Sequence, residues 1–273
     1  MLTDAPKFPA VMGVLNATPD SFSDGGAFSD PAAAAERAGA MVTAGASWID
    51  IGGESTRPGS APVSEAEQIR RVVPVIRAVL ARADVPVSID TTRAAVADAA
   101  IDAGASMVND ISAGRDDTQM FELVARRNVQ LVLMHMQGTP ATMQIDPVYG
   151  DVTAEVGRFL TDRLAAAAAA RIDPERVWFD PGFGFGKTVG HNLELLRRLL
   201  EVVALGRPVL VGTSRKGFIG KVTGEDLSAG RLMGTAATVA WAVMHGAAAV
   251  RVHDVAEMAA VVRMVRAIAG SGR

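Results

Sequence analysis

The chain has 273 residues, 49% of them hydrophobic, with a net charge of −3 and no cysteine, which excludes disulfide and thiolate chemistry. The length is close to the roughly 250 residues of one (β/α)8 barrel, and no Gly/Ser-rich or Pro-rich linker divides it, so a single domain over 1–273 is expected. The acidic balance argues against a nucleic-acid surface, the apolar stretches fall short of the roughly 20 residues of a membrane helix, and the N-terminus lacks the charged and apolar regions of a signal peptide. A cytoplasmic protein, with no nucleic-acid or membrane partner, is the expectation.

Eight apolar runs follow one another, each ending in polar or charged residues. They are AVMGVLN (10–16), WIDIGGEST (48–56), VPVSID (85–90), MVND (107–110), QLVLMHMQ (130–137), VWFDPG (177–182), PVLVGTSRK (208–216) and AAVRVH (248–253). Ala-rich segments with helical spacing lie between them. Near-continuous apolar runs fit parallel strands covered by helices. The alternation predicts a (β/α)8 TIM barrel, whose active site lies at the C-terminal ends of its strands.

Local signals support the helices. Ser29-Asp30-Pro31 places a cap, then proline, at the start of PAAAAERAGAMVTAG. Ser64 and Glu67 have capping-box spacing at the start of SEAEQIRRVVPVIRAVL, where Pro74 is expected to kink or shorten the helix. Six consecutive alanines, 165–170, predict a tightly packed small-residue helix face. Gly-Ala recurs just before three strands, in AGASWIDIG (44–52), AGASMVNDI (103–111) and HGAAAVRVHD (245–254), as repeated units ending each helix on glycine require.

The polar strand ends hold two chemistries. Asp90, Asn109 and Asp180 are acceptors, with asparagine also a donor, and suit a planar heterocycle carrying several N–H groups. Arg57, Arg215, Lys216, Arg251 and His253 form a cationic set that suits phosphate or diphosphate, the more so at the last two strand ends of a barrel. Taken singly, each has a plainer reading. His135 reads as a structural histidine, Arg215 as either an ion-pair partner or a site residue, and Asp110 and Asp254 as residues that hold neighbouring loops.

The loop Pro181-Gly182-Phe183-Gly184-Phe185-Gly186-Lys187-Thr188 ends like a nucleotide-binding P-loop. It has proline where that motif needs its first glycine, and no clear helix is expected directly after it. The four histidines show no zinc-ligand spacing. A metal, if used, is expected to be Mg²⁺ held partly by substrate phosphates.

The segments MGVLNATPDSFSDGG (12–26) and DIGGESTRPG (50–59) closely resemble the two signatures of the bacterial dihydropteroate synthases, members of the pterin-binding enzymes. The likeness continues through SIDTTR (88–93), NDIS (109–112), LMHMQGTP (133–140), DPGFGFGK (180–187), TSRKGFIG (213–220) and RVHDV (251–255). The resemblance implies condensation of 6-hydroxymethyl-7,8-dihydropterin diphosphate with 4-aminobenzoate, giving 7,8-dihydropteroate and diphosphate in folate biosynthesis. Diphosphate would depart first, and the amine would attack a cationic pterin methylene. A pterin-binding methyltransferase would keep the carboxylates but has no need of the cations or of the Asn16 loop.

Carried onto matching positions, Asp90, Asn109, Asp180 and Lys216 would bind the pterin. Asn16, Arg251 and His253 would bind diphosphate, with Asn16 also contacting Mg²⁺. Thr56 would lie near the diphosphate-side substrate, and Arg57 would sit within the assembled site. Phe22, Arg57, Pro58, Phe185, Ser214 and Gly217 would shape the 4-aminobenzoate pocket. Gly217 stands where many members have serine. Segments 17–30 and 54–62 would close over the bound pterin diphosphate, and the family implies a homodimer.

Overall fold

The computed structural model describes residues 9–17, 30–55 and 63–270. Among these, eight parallel strands form one sheet: β1 (Ala10–Asn16), β2 (Trp48–Gly52), β3 (Val87–Asp90), β4 (Met107–Asp110), β5 (Gln130–Met134), β6 (Val177–Asp180), β7 (Leu210–Val211) and β8 (Ala249–Val252). Their order is β6-β5-β4-β3-β2-β1-β8-β7. A single parallel bridge, Phe179 to Val209, joins the two ends and closes the barrel. Helices α1 (Pro31–Ala44), α2 (Glu65–Arg82), α3 (Ala94–Asp102), α4 (Met120–Arg127), α5 (Val152–Ala169), α6 (Val189–Arg197), α7 (Leu199–Val203), α8 (Gly217–Thr223), α9 (Leu232–Met244) and α10 (Val255–Gly270) follow the strands. The expected (β/α)8 architecture is therefore present.

The strands are apolar over most of their length because both of their faces are covered. Alternate residues face outward, and Val11, Leu15, Ile49, Ile51, Ile89, Leu131, Phe179 and Val250 join one core with the helices. The intervening residues face the lumen, where Met12, Trp48, Met107, Val132, Trp178, Leu210 and Ala249 fill the N-terminal half. Burying one such Ile or Leu fully contributes about 1.5–3 kcal/mol. A plugged lumen leaves the inward positions nearer the C-terminal strand ends as the place for polar chemistry.

The helix signals mostly act as their chemistry suggests. Asp30 caps α1 by accepting from Ala32 N at 2.9 Å, and Gly45 ends it in the left-handed region at φ 115°. Ser64 Oγ accepts from Glu67 N at 3.3 Å, but the Glu67 side chain turns to Arg70 and Arg71, so only half of the capping box forms. Pro74 does not shorten α2, which runs on to Arg82 and buries Val72, Val75, Ile76 and Val79 on one face. The alanine run is not a tightly packed face either. Of residues 165–170 only Ala167 is buried, so the run serves by helix propensity.

Candidate active site

The inward rows of the barrel carry the polar residues upward from the apolar plug. β2 presents Trp48, then Asp50; β4 presents Met107, then Asn109; β6 presents Trp178, then Asp180; β8 presents Ala249, then Arg251. Arg251 reaches across the lumen. Its Nε donates to Asp50 Oδ2 at 2.6 Å, and its Nη2 donates to Asp90 Oδ2 at 2.7 Å. Asn109 Nδ2 donates to the same Asp50 oxygen at 3.1 Å. Asp50 Oδ1 and Asn109 Oδ1 are buried with no hydrogen-bond partner. Asp180 Oδ1 accepts from Gly182 N at 2.7 Å.

Burial dominates the electrostatics. It pushes Asp90 up to about 7, against the pull of Arg251 and with the repulsion of Asp50 and Asp110 added. Asp180 is raised too, by burial, opposed by the Gly182 N–H and Lys216. Burial opposes the charge on Arg251, but Asp50 and Asp90 outweigh it and raise the guanidinium's pKa. Lys216 is lowered to about 8 by burial and by Arg251. Its Nζ lies 4.0 Å from the centroid of the Phe185 ring.

The expected cationic set is therefore smaller than its residue types suggest. Burial, with Arg251 and Arg215 adding, lowers His253 to about 4, so it is neutral at pH 7. Its Nδ1 shares a hydrogen bond with Ser214 Oγ at 3.0 Å, and its own N–H donates to that oxygen at 3.2 Å. Arg215 is occupied, its guanidinium forking onto Asp254 with Nε donating at 3.0 Å. Arg251 is neutralised by its two carboxylates. Among the described residues, Lys216 is left as the cation in the lumen without a carboxylate hydrogen bond.

The loop after β6 does run directly into a helix, contrary to expectation. Thr188 Oγ1 accepts from His191 N at 3.2 Å, and His191 Nδ1 accepts from Thr188 N at 3.3 Å, a full capping box for α6. It still does not act as a P-loop, because Lys187 Nζ is turned back onto its own loop, donating to Gly182 O at 2.9 Å and Phe185 O at 3.1 Å. Phe185 itself is buried with Ile111, Met134, Met136 and Met143, and presents its ring to Lys216.

Thus Asp90, Asn109, Asp180, Lys216, Arg251, His253, Ser214 and Phe185 all stand at the C-terminal end of the barrel. Asn16 ends β1 in register with Gly52, where a side chain would come within 3.8 Å of Asn16 Oδ1 and 3.6 Å of Asp90 Cβ. Gly217 opens α8 with open space where a Cβ would sit. Phe22, Thr56, Arg57 and Pro58 lie outside the described residues, as does most of the two loops expected to close. The loop base after β2 is anchored, with Glu54 accepting from Val63 N at 2.9 Å and from Gln68 Nε2 at 3.0 Å. Asp110 holds its own loop through Ser112 N, Ser112 Oγ and Gly114 N.

Asp50 is the site residue that reading strand ends misses. It lies inside its strand, and its signal is a lone carboxylate in the apolar run WIDIG. A fully buried charge needs a partner, and Arg251 supplies it.

A family model described as pterin binding enzyme matches residues 12–253. The chain is 46% identical over 267 residues to a dihydropteroate synthase of Synechocystis sp., spanning 98% of this chain and 92% of that one. A Xanthomonas albilineans dihydropteroate synthase solved with 4-aminobenzoic acid superposes with a TM-score of 0.91 at 45% identity, covering 96% of this chain and 93% of that one. The same organism's enzyme in complex with 7,8-dihydropteroate gives 0.87 at 42% identity, covering 96% and 94%. By motif, fold and identity over nearly its full length, the chain belongs to the pterin binding enzyme family.

Proposed function

We propose that the chain is a dihydropteroate synthase, joining 6-hydroxymethyl-7,8-dihydropterin diphosphate to 4-aminobenzoate and releasing diphosphate. The observation that carries this reading is the lumen array: two buried acceptors without partners, Asp50 Oδ1 and Asn109 Oδ1, beside Asp90, Asp180 and Lys216. Unpaired buried acceptors are costly, and a flat ring with several N–H donors is the ligand that satisfies them. Asp90, Asn109, Asp180 and Lys216 hold the pterin in this reading.

Asn16, Arg251 and neutral His253 face the leaving diphosphate. Among the described residues no group of three His, Cys, Asp or Glu side chains gathers to hold a metal. One amide oxygen, Asn16 Oδ1 at the end of β1, fits Mg²⁺ bound chiefly through substrate phosphates. Asn16 would hold that ion, which when bound adds positive charge beside the departing oxygens. Preorganised Lys216, which has no carboxylate hydrogen bond, stabilises the same charge without reorganising.

The amine of 4-aminobenzoate attacks the pterin methylene after diphosphate leaves, so no protein nucleophile is needed. Phe185, Ser214 and Gly217 form the wall of its pocket, with Phe22, Arg57 and Pro58 contributed by the loops. Closure of those loops over the pterin diphosphate keeps water from the methylene and orders binding, with 4-aminobenzoate second. One domain spans 1–273 in this reading. The enzyme is a homodimer, supported by the apolar side chains of Met233, Trp241 and Met244 exposed on α9. Among the described residues no helix is long and apolar enough to cross a membrane, and the reading places the enzyme in the cytoplasm.

Incubation with both substrates, followed by mass identification of 7,8-dihydropteroate, tests the assignment. Absence of that product from correctly folded protein with Mg²⁺ present rejects it.

A further inference from the structure

We infer that Lys187 is a positioning residue for the pterin site, pinning the loop after β6 so that the Phe185 ring stays beneath the Lys216 ammonium. Lys187 is buried, and its hydrogen bonds go to its own loop and to His135 rather than to the lumen array. Its Nζ donates to Gly182 O at 2.9 Å and to Phe185 O at 3.1 Å, and meets His135 Nδ1 at 3.0 Å. Two of these acceptors are carbonyls of the loop itself, and the third is a side chain just after β5. Burial lowers Lys187 to about 7, and a buried amine is tolerated only when its donors are satisfied; here satisfying them ties the loop after β6 to the His135 side chain just after β5.

The loop has little freedom once pinned. A Cβ at Gly182 would lie 1.8 Å from His135 O, and one at Gly186 would lie 2.5 Å from Gln137 O. On its other side, a Cβ at Gly184 would lie 3.0 Å from Lys216 Cδ. The loop is thus sandwiched between the backbone leaving β5 and the Lys216 side chain. His135 is itself held in place by an edge-on contact with Phe159, ring centroids 4.9 Å apart. Burial keeps it neutral, its pKa lowered to about 2, so Nδ1 is free to accept. The order of action is His135 to Lys187, to the loop, to Phe185, to Lys216. The functional part of the inference rests on the synthase reading, whereas the structural part does not.

The test has one readout for each part. The chain has four lysines, Lys7, Lys187, Lys216 and Lys221, so ε-carbon-labelled lysine spectra are simple. In the wild type the Lys216 ε resonance is displaced by the Phe185 ring current, which Phe185→Leu identifies. In Lys187→Met that displacement is lost. In steady state, the same substitution raises KM for 4-aminobenzoate about tenfold, equivalent to about 1.4 kcal/mol, while kcat changes little. A merely structural defect lowers kcat through lost active protein and leaves KM alone.

Phe185→Leu added to Lys187→Met multiplies KM by less than about twofold, because coupled residues are not additive. Should Lys187→Met fail to fold, His135 decides. His135→Asn keeps an acceptor in reach and retains the wild-type spectrum, whereas His135→Leu loses the displacement. A folded Lys187→Met with the Lys216 resonance unmoved overturns the inference, and so do fully additive KM effects. Wild-type protein without turnover defeats the synthase reading instead, and the spectra still test the pin.

Discussion

Replacing Arg251 with methionine should unfold more than a binding site. The guanidinium holds Asp50, fully buried, and Asp90, nearly so, through bonds of 2.6 and 2.7 Å. Removing one partner from a buried ion network costs about 3–5 kcal/mol, because the remaining charges stay desolvated. At roughly 2–4 °C per kcal/mol for chains of about this size, the melting temperature drops on the order of 10 °C. The loss also acquires a pH signature.

Burial already places Asp90 at about 7 with the guanidinium present, and without it the value rises further. A carboxyl raised on folding contributes stability at low pH and loses it as pH climbs through the folded value. In the wild type that loss is complete somewhat above pH 7. In the variant it continues, so the deficit grows by up to about 1.36 kcal/mol per pH unit above 7. Thermal and urea unfolding of both proteins between pH 6 and 9 measure this. A deficit below about 1 kcal/mol, the same at every pH, would show that the network does not bear on stability.

Three further outcomes follow from the same geometry. Asp90→Asn keeps the fold but weakens pterin binding by about 1.5–3 kcal/mol, the worth of a hydrogen bond to a charged group; calorimetry with unchanged affinity removes Asp90 from the pterin site. Gly182→Ala places a Cβ 1.8 Å from His135 O at a φ of 69°, and costs at least about 2–3 kcal/mol by combined strain and clash; a melting temperature equal to wild type refutes the packing described. Gly217→Ser meets open space and shifts stability by less than about 0.5 kcal/mol, so any change it makes in 4-aminobenzoate or sulfonamide affinity, read by titration, is local to the pocket.

The barrel was legible because each strand is apolar over most of its length and polar residues stand at or just beyond its C-terminal end. β1 and β4 coincide with the runs read from sequence, AVMGVLN and MVND. β7 shrinks to Leu210–Val211 because its neighbouring residues close the barrel by a bridge and a turn rather than a full ladder. Asp90, Asn109, Asp180, Lys216 and Arg251 were visible as strand-end residues. Their pairing was not, because Arg251 and Asp50 are two hundred and one positions apart and meet only when the barrel closes. The same blindness let His253 count as a cation, whereas burial makes it neutral. Pro74 does not end α2 for a related reason, since tertiary packing of the α2 apolar face outweighs one missing N–H.

If this lumen joins a pterin to an aromatic amine with loss of diphosphate, the departure of diphosphate is coupled to the amine. Diphosphate release from the pterin substrate, followed continuously with and without 4-aminobenzoate, tests it most directly. Release is expected to depend on 4-aminobenzoate, to saturate with it, and to yield one 7,8-dihydropteroate per diphosphate. Release at the same rate without the amine, or none with both substrates and Mg²⁺ present, would contradict it.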